Sequence, residues 1–183
     1  MKDIFRNLET IETDRLILRP VMAGDVDAVF RLMSDPDISR FTTWRQHRNI
    51  EDSKQFVNFM LSRYVQNKPS NWAIIEKKSG TFTGTCGFVS SFMANSRAEI
   101  GFAVTREFRG RGYATEAVKR SIVFGFEKIG LNRIEACCDA ENTASSRVLE
   151  KAGMKFEGVL RQYAFINGSF RDMRNYSILR SEM

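Results

Sequence analysis

Residues 106–114, which read REFRGRGYA, lie between a segment of alternating side chains, Ala98 to Val104, and a long segment of helical periodicity. Gly110 and Gly112 let the backbone turn sharply, and a helix that begins at Ala114 presents unpaired N–H groups and the positive end of its dipole. The stretch therefore predicts a loop that holds a phosphate or pyrophosphate group. Glycine-rich turns between a strand and a helix also occur without a ligand, and that reading stays open.

Arginines at positions 106, 109 and 111 add positive charge to this loop, and Tyr113 is placed to cover a neighbouring group. Arginines in loops are often simply solvated, so their contribution to binding is an expectation. The stretch lacks the G-x-x-x-x-G-K-[ST] pattern of a nucleotide-binding P-loop. It also lacks the third glycine and the acidic ribose partner of a dinucleotide fingerprint.

The composition is that of one globular domain covering residues 1–183. Hydrophobic residues make up 43% of the chain and charged residues 27%, and no linker or low-complexity segment interrupts it. The 28 Lys and Arg against 22 Asp and Glu give a net charge of +6, which favours anionic partners without naming one.

Cysteine and histidine usage restricts the chemistry. Cys86, Cys137 and Cys138 form no metal spacing and no disulfide framework, which favours a cytoplasmic location. The single histidine, His47, excludes Ser-His-Asp, Cys-His and multi-histidine metal sites. The scattered charges of residues 1–15 argue against a secretion signal, and no apolar run is long enough to span a membrane. Acid–base chemistry is expected from carboxylates, hydroxyls or water, without a metal.

Periodicity predicts a mixed α/β fold. The predicted strands are Arg15 to Arg19, Trp72 to Ile75, Phe82 to Phe92, Ala98 to Val104, Asn132 to Cys138, Phe156 to Ile166 and Ser169 to Leu179. The predicted helices are Asp25 to Met33, Asp52 to Val65, Ala114 to Ile129 and Thr143 to Ala152.

The dipeptide Asn167-Gly168 predicts a type I′ turn between the last two strands, because that turn needs positive φ at both positions. The turn sets Ile166 opposite Ser169. Continued along the ladder, this register sets Tyr163 opposite Asp172 and Arg161 opposite Arg174.

The spacing Arg109-x-x-Gly112-x-Ala114 resembles the [QR]-x-x-G-x-[GA] acyl-CoA signature of the GNAT superfamily of N-acetyltransferases. Further motifs resemble the RimJ/RimL branch, the ribosomal-protein N-terminal acetyltransferases, over nearly the whole chain. These are ETDRL from Glu12, AEIGF from Ala98, EA at Glu116, N-x-x-S from Asn142, VLEK-x-G from Val148, EG at Glu157, NG at Asn167, and Asp172.

The resemblance implies a mixed, mostly antiparallel sheet with helices on both faces and a splayed pair of parallel strands that forms a cleft for acetyl-CoA, the cosubstrate. The pantetheine arm would bond to the backbone of Phe102, Ala103 and Val104. The pyrophosphate would lie on the N–H groups of Arg109, Gly110, Arg111, Gly112, Tyr113 and Ala114.

The resemblance also implies roles for three side chains. Asn142 would hold pantetheine or orient the acceptor, although asparagine is also a good helix N-cap. Ser145 would donate a hydrogen bond to the leaving thiolate, or bond its own backbone instead. Glu99 is the candidate general base, with a structural salt bridge as its alternative. Leu149 stands where many relatives carry a tyrosine acid, and Ala164 stands where some carry a carboxylate base.

The expected reaction is direct attack of an amine on the thioester carbonyl in a ternary complex. An α-amino group needs a base least, because its pKa near 8 leaves roughly a tenth of it neutral at pH 7. The acceptor is therefore expected to be a protein N-terminus, held by Arg161, Tyr163 and Arg174. In the alternative reading of these side chains, Asp172 simply neutralises the two arginines.

Other function classes stay open at this stage. The acceptor could be a small amine such as a polyamine or an aminoglycoside, and without a tyrosine acid the chain could be a non-catalytic acyl-CoA sensor. The arginines cluster at one loop instead of forming a basic and aromatic stripe, which speaks against nucleic acid. A homodimer is left open.

Overall fold

The computed structural model describes residues 3–183, so Met1 and Lys2, which open the N-terminal segment considered above, lie outside the described residues. Within this range one eight-stranded sheet has the order β1-β2-β3-β4-β5-β6-β8-β7. The strands are β1 (Ile11–Glu12), β2 (Leu16–Pro20), β3 (Asn71–Glu76), β4 (Phe82–Phe92), β5 (Arg97–Val104), β6 (Arg133–Asp139), β7 (Lys155–Ile166) and β8 (Ser169–Leu179).

Adjacent strands are antiparallel except for β5 and β6, which are parallel. Their register runs only from Arg97 opposite Arg133 to Glu99 opposite Glu135, and beyond this point the two strands separate. The expected fold class, with its splayed parallel pair, is confirmed.

The helices pack on this sheet from both sides. The helices are α1 (Val26–Met33), α2 (Pro36–Ser39), α3 (Ile50–Val65), α4 (Tyr113–Phe124) and α5 (Thr143–Lys151). On one face, Trp72 of β3 meets Phe124 of α4 with ring centroids 5.1 Å apart. The opposite face is covered by α1 and α3, which pack against each other. No helix in the described part of the chain is long and apolar enough to span a membrane.

The predicted elements are found in the predicted order, with β4 at the predicted bounds. The short strand β1 and the one-turn helix α2 were not predicted. The long helix is regular only to Phe124 and continues as a π-helical turn, Gly125–Ile129. A Cβ at Gly125 would lie 2.7 Å from Ile134 Cδ1, so glycine lets this turn pack closely on the sheet.

The final hairpin departs from the predicted register. Ile166 pairs with Ser169 as expected, but Leu160 pairs with Met173 and Ala164 with Arg171. Three residues of β7 therefore face the single residue between these partners, Asp172.

The prediction that Arg161 lies opposite Arg174 and Tyr163 opposite Asp172 is wrong, because Arg174 pairs with Val159. Gln162 has φ +52. Its N–H donates to Asp172 Oδ1 at 2.8 Å, which fixes the bulge.

Candidate active site

A cleft of about 1380 Å³ opens where β5 and β6 separate. It is bordered by the loop before α4, by α5, by the segment between α2 and α3, and by the final hairpin. The described residues that line it include Glu99, Phe102, Ala103, Val104, Arg109, Gly110, Gly112, Tyr113, Ala114, Asn142, Ser145 and Tyr163. The structure therefore brings most of the predicted site residues together.

The loop at one end of the cleft has the backbone expected of an anion site. Gly110 has φ +76 and Gly112 has φ +81, conformations that side chains other than glycine rarely adopt. Gly112 is the N-cap of α4 and provides no side-chain cap. The first-turn N–H groups of α4 thus face the cleft without a partner inside the helix, which fits the pyrophosphate of a bound coenzyme.

Two of the three loop arginines already have acidic partners. Arg106 Nη2 lies 2.5 Å from Asp37 Oδ2, and Arg109 Nη2 lies 2.6 Å from Asp35 Oδ2. The hydrogen bond from Arg106 holds the pKa of Asp37 below its ordinary value. Arg111 forms no ion pair within residues 3–183; its guanidinium lies over the Phe108 ring, 5.0 Å from the centroid, and among the predicted loop residues 109–114 it is the one that does not line the cleft.

Tyr113 lines the cleft and packs against residues of the loop and of the N-terminal segment. Its side chain is buried. Its hydroxyl donates to Glu76 Oε1, and its ring stacks on Phe108 with centroids 6.0 Å apart. Arg15 lies over the other side of the ring, 4.8 Å from the centroid. The tyrosine therefore supports the loop.

Glu116 of α4 ties the N-terminal segment to this loop. Its carboxylate accepts from Thr13 Oγ1 at 2.5 Å and from Arg15 Nε at 2.7 Å. Arg15 Nη1 in turn donates to the Arg111 carbonyl at 2.9 Å. The motif beginning at Glu12 thus buttresses the loop, a role that sequence reasoning did not assign.

One edge of β5 pairs with β4 from Arg97 to Val104. The other edge faces the cleft and, beyond Glu99, pairs with no strand of the described residues. Phe102, Ala103 and Val104 lie in this free stretch. The Val104 carbonyl already accepts from Arg109 Nε at 3.3 Å. The open backbone groups therefore lie mainly nearer to Glu99.

Glu99 lies at the point where the parallel strands separate, with its side chain partly buried in the cleft. Ser90 Oγ donates to Oε2 at 3.3 Å. Burial raises the pKa of Glu99 above its ordinary value, and the nearby Glu135 raises it further. Arg97 makes its ion pair with Glu135 at 2.6 Å. Within residues 3–183 Glu99 has no ion-pair partner, unlike a salt-bridged structural glutamate.

Asn142 and Ser145 border the cleft at the start of α5. Asn142 Oδ1 accepts from the Ser145 N–H at 3.0 Å, so asparagine is the N-cap of this helix. The backbone-bonded serine is the next residue, Ser146, whose Oγ donates to the Asn142 carbonyl at 3.4 Å. No protein acceptor within the described residues takes the Ser145 hydroxyl. Leu149 is fully buried and brings no acid to the site.

The hairpin contributes differently from expectation. Tyr163 and Ala164 line the cleft, whereas Arg161 and Arg174 do not. Arg174 Nη1 points to Ser146 Oγ, 3.5 Å away. The bulge thus removes the premise that the two arginines act as a pair on the acceptor.

Sequence reasoning missed two groups of lining residues. One is basic and comes from α4 and α5; the other is largely apolar and comes from α1, the connection from α1 to α3, α3 and the hairpin. The periodicity of α4 and α5 could have shown the first group, but the coil segment of the second has no repeating signal. The groups are Lys119, Arg120, Arg147 and Lys151, and Met33, Ile38, Phe41, Thr42, Trp44, Phe56 and Ile166.

No group of three or more His, Cys, Asp or Glu side chains in the described part of the chain is arranged to hold a metal ion.

Residues 15–155 match the family model described as "Acetyltransferase (GNAT) domain". The uncharacterized N-acetyltransferase p20 of Bacillus licheniformis is 33% identical over 96% of this chain and 98% of its own length. The uncharacterized N-acetyltransferase YoaA of Bacillus subtilis is 34% identical over 93% and 96%. The spermidine N(1)-acetyltransferase of Escherichia coli is 26% identical over 85% and 81%.

Solved structures show the same fold. An acetyltransferase of the GNAT family from Bacillus anthracis superposes with a TM-score of 0.85 at 29% identity, over 94% of this chain and 99% of that one. RimL, a ribosomal L7/L12 alpha-N-protein acetyltransferase in complex with coenzyme A, superposes with a TM-score of 0.84 at 20% identity, over 96% and 100%.

Proposed function

This chain belongs to the GNAT family of acetyltransferases and is an N-acetyltransferase, and from that premise we propose that its acceptor is the N-terminal α-amino group of a protein, as in the RimJ/RimL branch. The observation that carries the proposal is Glu99, a partly buried carboxylate at the mouth of the parallel pair that has no ion-pair partner among residues 3–183. Residues 1–183 are proposed to act as one acyltransferase domain.

The cosubstrate acetyl-CoA fits the loop end of the cleft. The pyrophosphate would be held by the N–H groups of Gly110, Gly112 and the first turn of α4, aided by Arg111. The pantetheine arm would follow the free edge of β5. Bound there, acetyl-CoA supplies a thioester with an electrophilic carbonyl.

The amine would attack that carbonyl directly. The nitrogen lone pair forms the C–N bond, the C–S bond breaks, and its electron pair leaves on sulfur. Of the two protons that the ammonium loses, Glu99 passes one to solvent and the sulfur takes up the equivalent of the other, with Ser145 as hydrogen-bond donor. The products are an amide and the CoA thiol.

The acid–base content of the site favours an α-amino group over a lysine side chain. An α-amino group with a pKa near 8 is roughly a tenth neutral at pH 7, whereas a lysine amine at about 10.4 is neutral in less than one molecule in a thousand. Ala164 adds no second carboxylate on the hairpin side. One base with a raised pKa is enough for the first kind of amine.

The test is incubation with isotopically labelled acetyl-CoA followed by mass spectrometry of three acceptors. These are a peptide with a free N-terminus and no lysine, the same sequence N-formylated with one lysine, and spermidine. We expect label on the first peptide at least 10-fold faster than on the other two. Label on spermidine alone would show that the acceptor is a polyamine, as the name of one relative states for that protein, and would overturn the proposal.

A further inference from the structure

The end of the cleft away from the phosphate loop is apolar and aromatic. Phe41 and Trp44 border it from the segment between α2 and α3, Phe56 from α3, and Tyr163 and Ile166 from the hairpin. The end of α2, from which this segment continues, meets the hairpin, since Asn167 Nδ2 donates to the carbonyl of Ser39, the last residue of α2, at 3.1 Å. These elements form a roof over the strand that carries Glu99.

The floor below this roof is made of small residues. Asn71 of β3, Gly87 of β4 and Gly101 of β5 lie side by side in register. A Cβ at Gly101 would lie 3.0 Å from Val89 Cγ1, and one at Gly87 would lie 2.5 Å from Asn71 Cα. The space at Gly87 is thus taken by the backbone of β3, whereas at Gly101, which lines the cleft beside Val89, the absence of a side chain leaves the backbone exposed to the acceptor end.

Among residues 3–183, the charged side chains that line this end of the cleft include one carboxylate, that of Glu99, and the guanidinium of Arg40, which lies 3.8 Å from Glu141 Oε2. The acidic residues that line the described cleft are Asp14, Asp37, Glu99 and Glu116. Asp37 is paired with Arg106, and Glu116 with Arg15. Asp14, next to Arg15, lies at the loop end of the cleft. Glu99 is thus the acid that faces the apolar end.

Three polar atoms on residues around this end have no hydrogen-bond partner in the described part of the chain: Trp44 Nε1, Thr42 Oγ1 and Asn71 Oδ1. All are screened from solvent, so a ligand reaches them only through a small shift of the roof. A buried polar atom without a partner costs about 1–3 kcal/mol, which a suitable ligand group would recover. Trp44 Nε1 needs an acceptor such as an amide carbonyl, whereas the protonated ammonium groups of a polyamine only donate.

We infer that this end of the cleft selects a peptide whose first residue carries a large apolar side chain. The α-ammonium is then the only charge that the peptide places near Glu99. The inference rests on the proposed function and names its substrate class. The apolar side chain lies between the floor at Gly101 and the roof at Trp44. The first peptide carbonyl accepts from Trp44 Nε1, and Thr42 Oγ1 contacts the same amide.

The first experiment compares kcat/KM for peptides that differ only in residue one, chosen as Leu, Phe, Ser, Ala or Asp. Burying a Leu or Phe side chain in such a pocket is expected to raise kcat/KM about 10- to 100-fold over Ser, with Asp slowest. Equal rates for Leu and Ser, or faster rates for Ser, overturn the inference.

The second experiment assigns the preference to residues. Trp44→Ala is expected to remove most of the advantage of Leu over Ser while leaving the KM for acetyl-CoA within about 2-fold. Thr42→Val, which keeps the volume of the side chain, is expected to raise the peptide KM about 3- to 10-fold. Phe59→Ala is the matched control, because Phe59 is an exposed aromatic of α3 outside the cleft.

Failure of the inference and failure of the proposed function differ in outcome. Peptides acetylated with no preference at residue one, or with a preference that Trp44→Ala leaves intact, overturn the inference alone. A protein that acetylates spermidine and none of the peptides overturns both. If Trp44→Ala does not fold, Thr42→Val and the wild-type peptide series decide.

Discussion

Asp35 Oδ2 lies 2.6 Å from Arg109 Nη2, and this ion pair joins the residue that precedes α2 to the loop that precedes α4. Both side chains are partly shielded, with the carboxylate 12% exposed and the guanidinium 36%. The loop that we assign to the pyrophosphate is thus fixed to the start of α2, the helix from which the segment over the acceptor end continues. Arg106 and Arg109 thus form ion pairs that hold the loop in place, which reduces the charge that they offer a coenzyme.

The charge that the loop offers a coenzyme is therefore expected to come mainly from Arg111. Arg111→Gln should weaken CoA binding about 3- to 10-fold, because the other two arginines are neutralised by Asp35 and Asp37. Asp37→Asn should strengthen binding about 2- to 5-fold by releasing Arg106. Isothermal titration at two salt concentrations measures both, and an unchanged affinity for Arg111→Gln would show that the N–H groups act alone.

Replacing Gly112 by valine should abolish the thermal stabilisation that CoA confers. A β-branched residue is strained at φ +81, and its Cβ would lie 3.3 Å from Arg15 Nη2. Gly80→Val is the matched control, because Gly80 has φ +68 with nothing within 4 Å of its added Cβ and does not border the cleft. Both variants should lose about 1–2 kcal/mol of stability. A CoA-induced rise in Tm that survives in Gly112→Val would remove the loop from the binding site.

Glu99→Gln separates catalysis from structure. At pH 7 we expect kcat/KM to fall about 100-fold, with a deficit that narrows toward pH 9 as the amine deprotonates itself. In the wild type, the fall of kcat/KM toward acid pH should have its midpoint above the ordinary pKa of glutamate, because burial raises the pKa of Glu99.

Glu99→Gln should not lower the stability of the fold, although it lowers kcat/KM. A raised pKa means that folding favours the protonated carboxyl, so the stabilising contribution is complete at low pH and is lost as pH rises through the folded pKa. At pH 7 the neutral glutamine should leave Tm unchanged or higher. A constant rate deficit at every pH, together with a lower Tm, would make Glu99 a structural residue.

Acid stability is expected to depend on Glu157. Its hydrogen bond from Arg133, at 2.5 Å, is the main reason that the pKa of Glu157 is lowered to about 2. A lowered pKa stabilises the fold above pH 4.5, and this contribution is lost as pH falls toward 2. Because the carboxylate is 36% exposed, solvent screening reduces the effect to about 1 kcal/mol. Chemical denaturation between pH 2 and 7 should show that the free energy of unfolding of Glu157→Gln depends less steeply on pH than that of the wild type.

The sequence predicted those features that depend on local chemistry. Asn167-Gly168 specified its turn, Gly110 and Gly112 specified the loop, and the alternation of Ala98 to Val104 specified β5. The bulge opposite Asp172 could not be predicted, because it depends on a glutamine at positive φ, and glutamine gives no such signal.

Contacts between residues far apart in the sequence could not be predicted either. Nothing local to Asp35 or Asp37 shows that they meet Arg106 and Arg109, about 70 residues later in the chain. The apolar lining at Trp44 lies in a coil segment without periodicity, so it emerges only when the fold brings α3 and the hairpin together.

The short register between β5 and β6 also determines how the molecule bends. Only three residue pairs, from Arg97 opposite Arg133 to Glu99 opposite Glu135, join the five-stranded part of the sheet to the three-stranded part. Beyond them, the width of the cleft can change without breaking any ladder hydrogen bond. Within the sheet, the angle between the two parts is therefore constrained over this short stretch alone, and Glu99 lies at its end, where a change in that angle would displace a residue least.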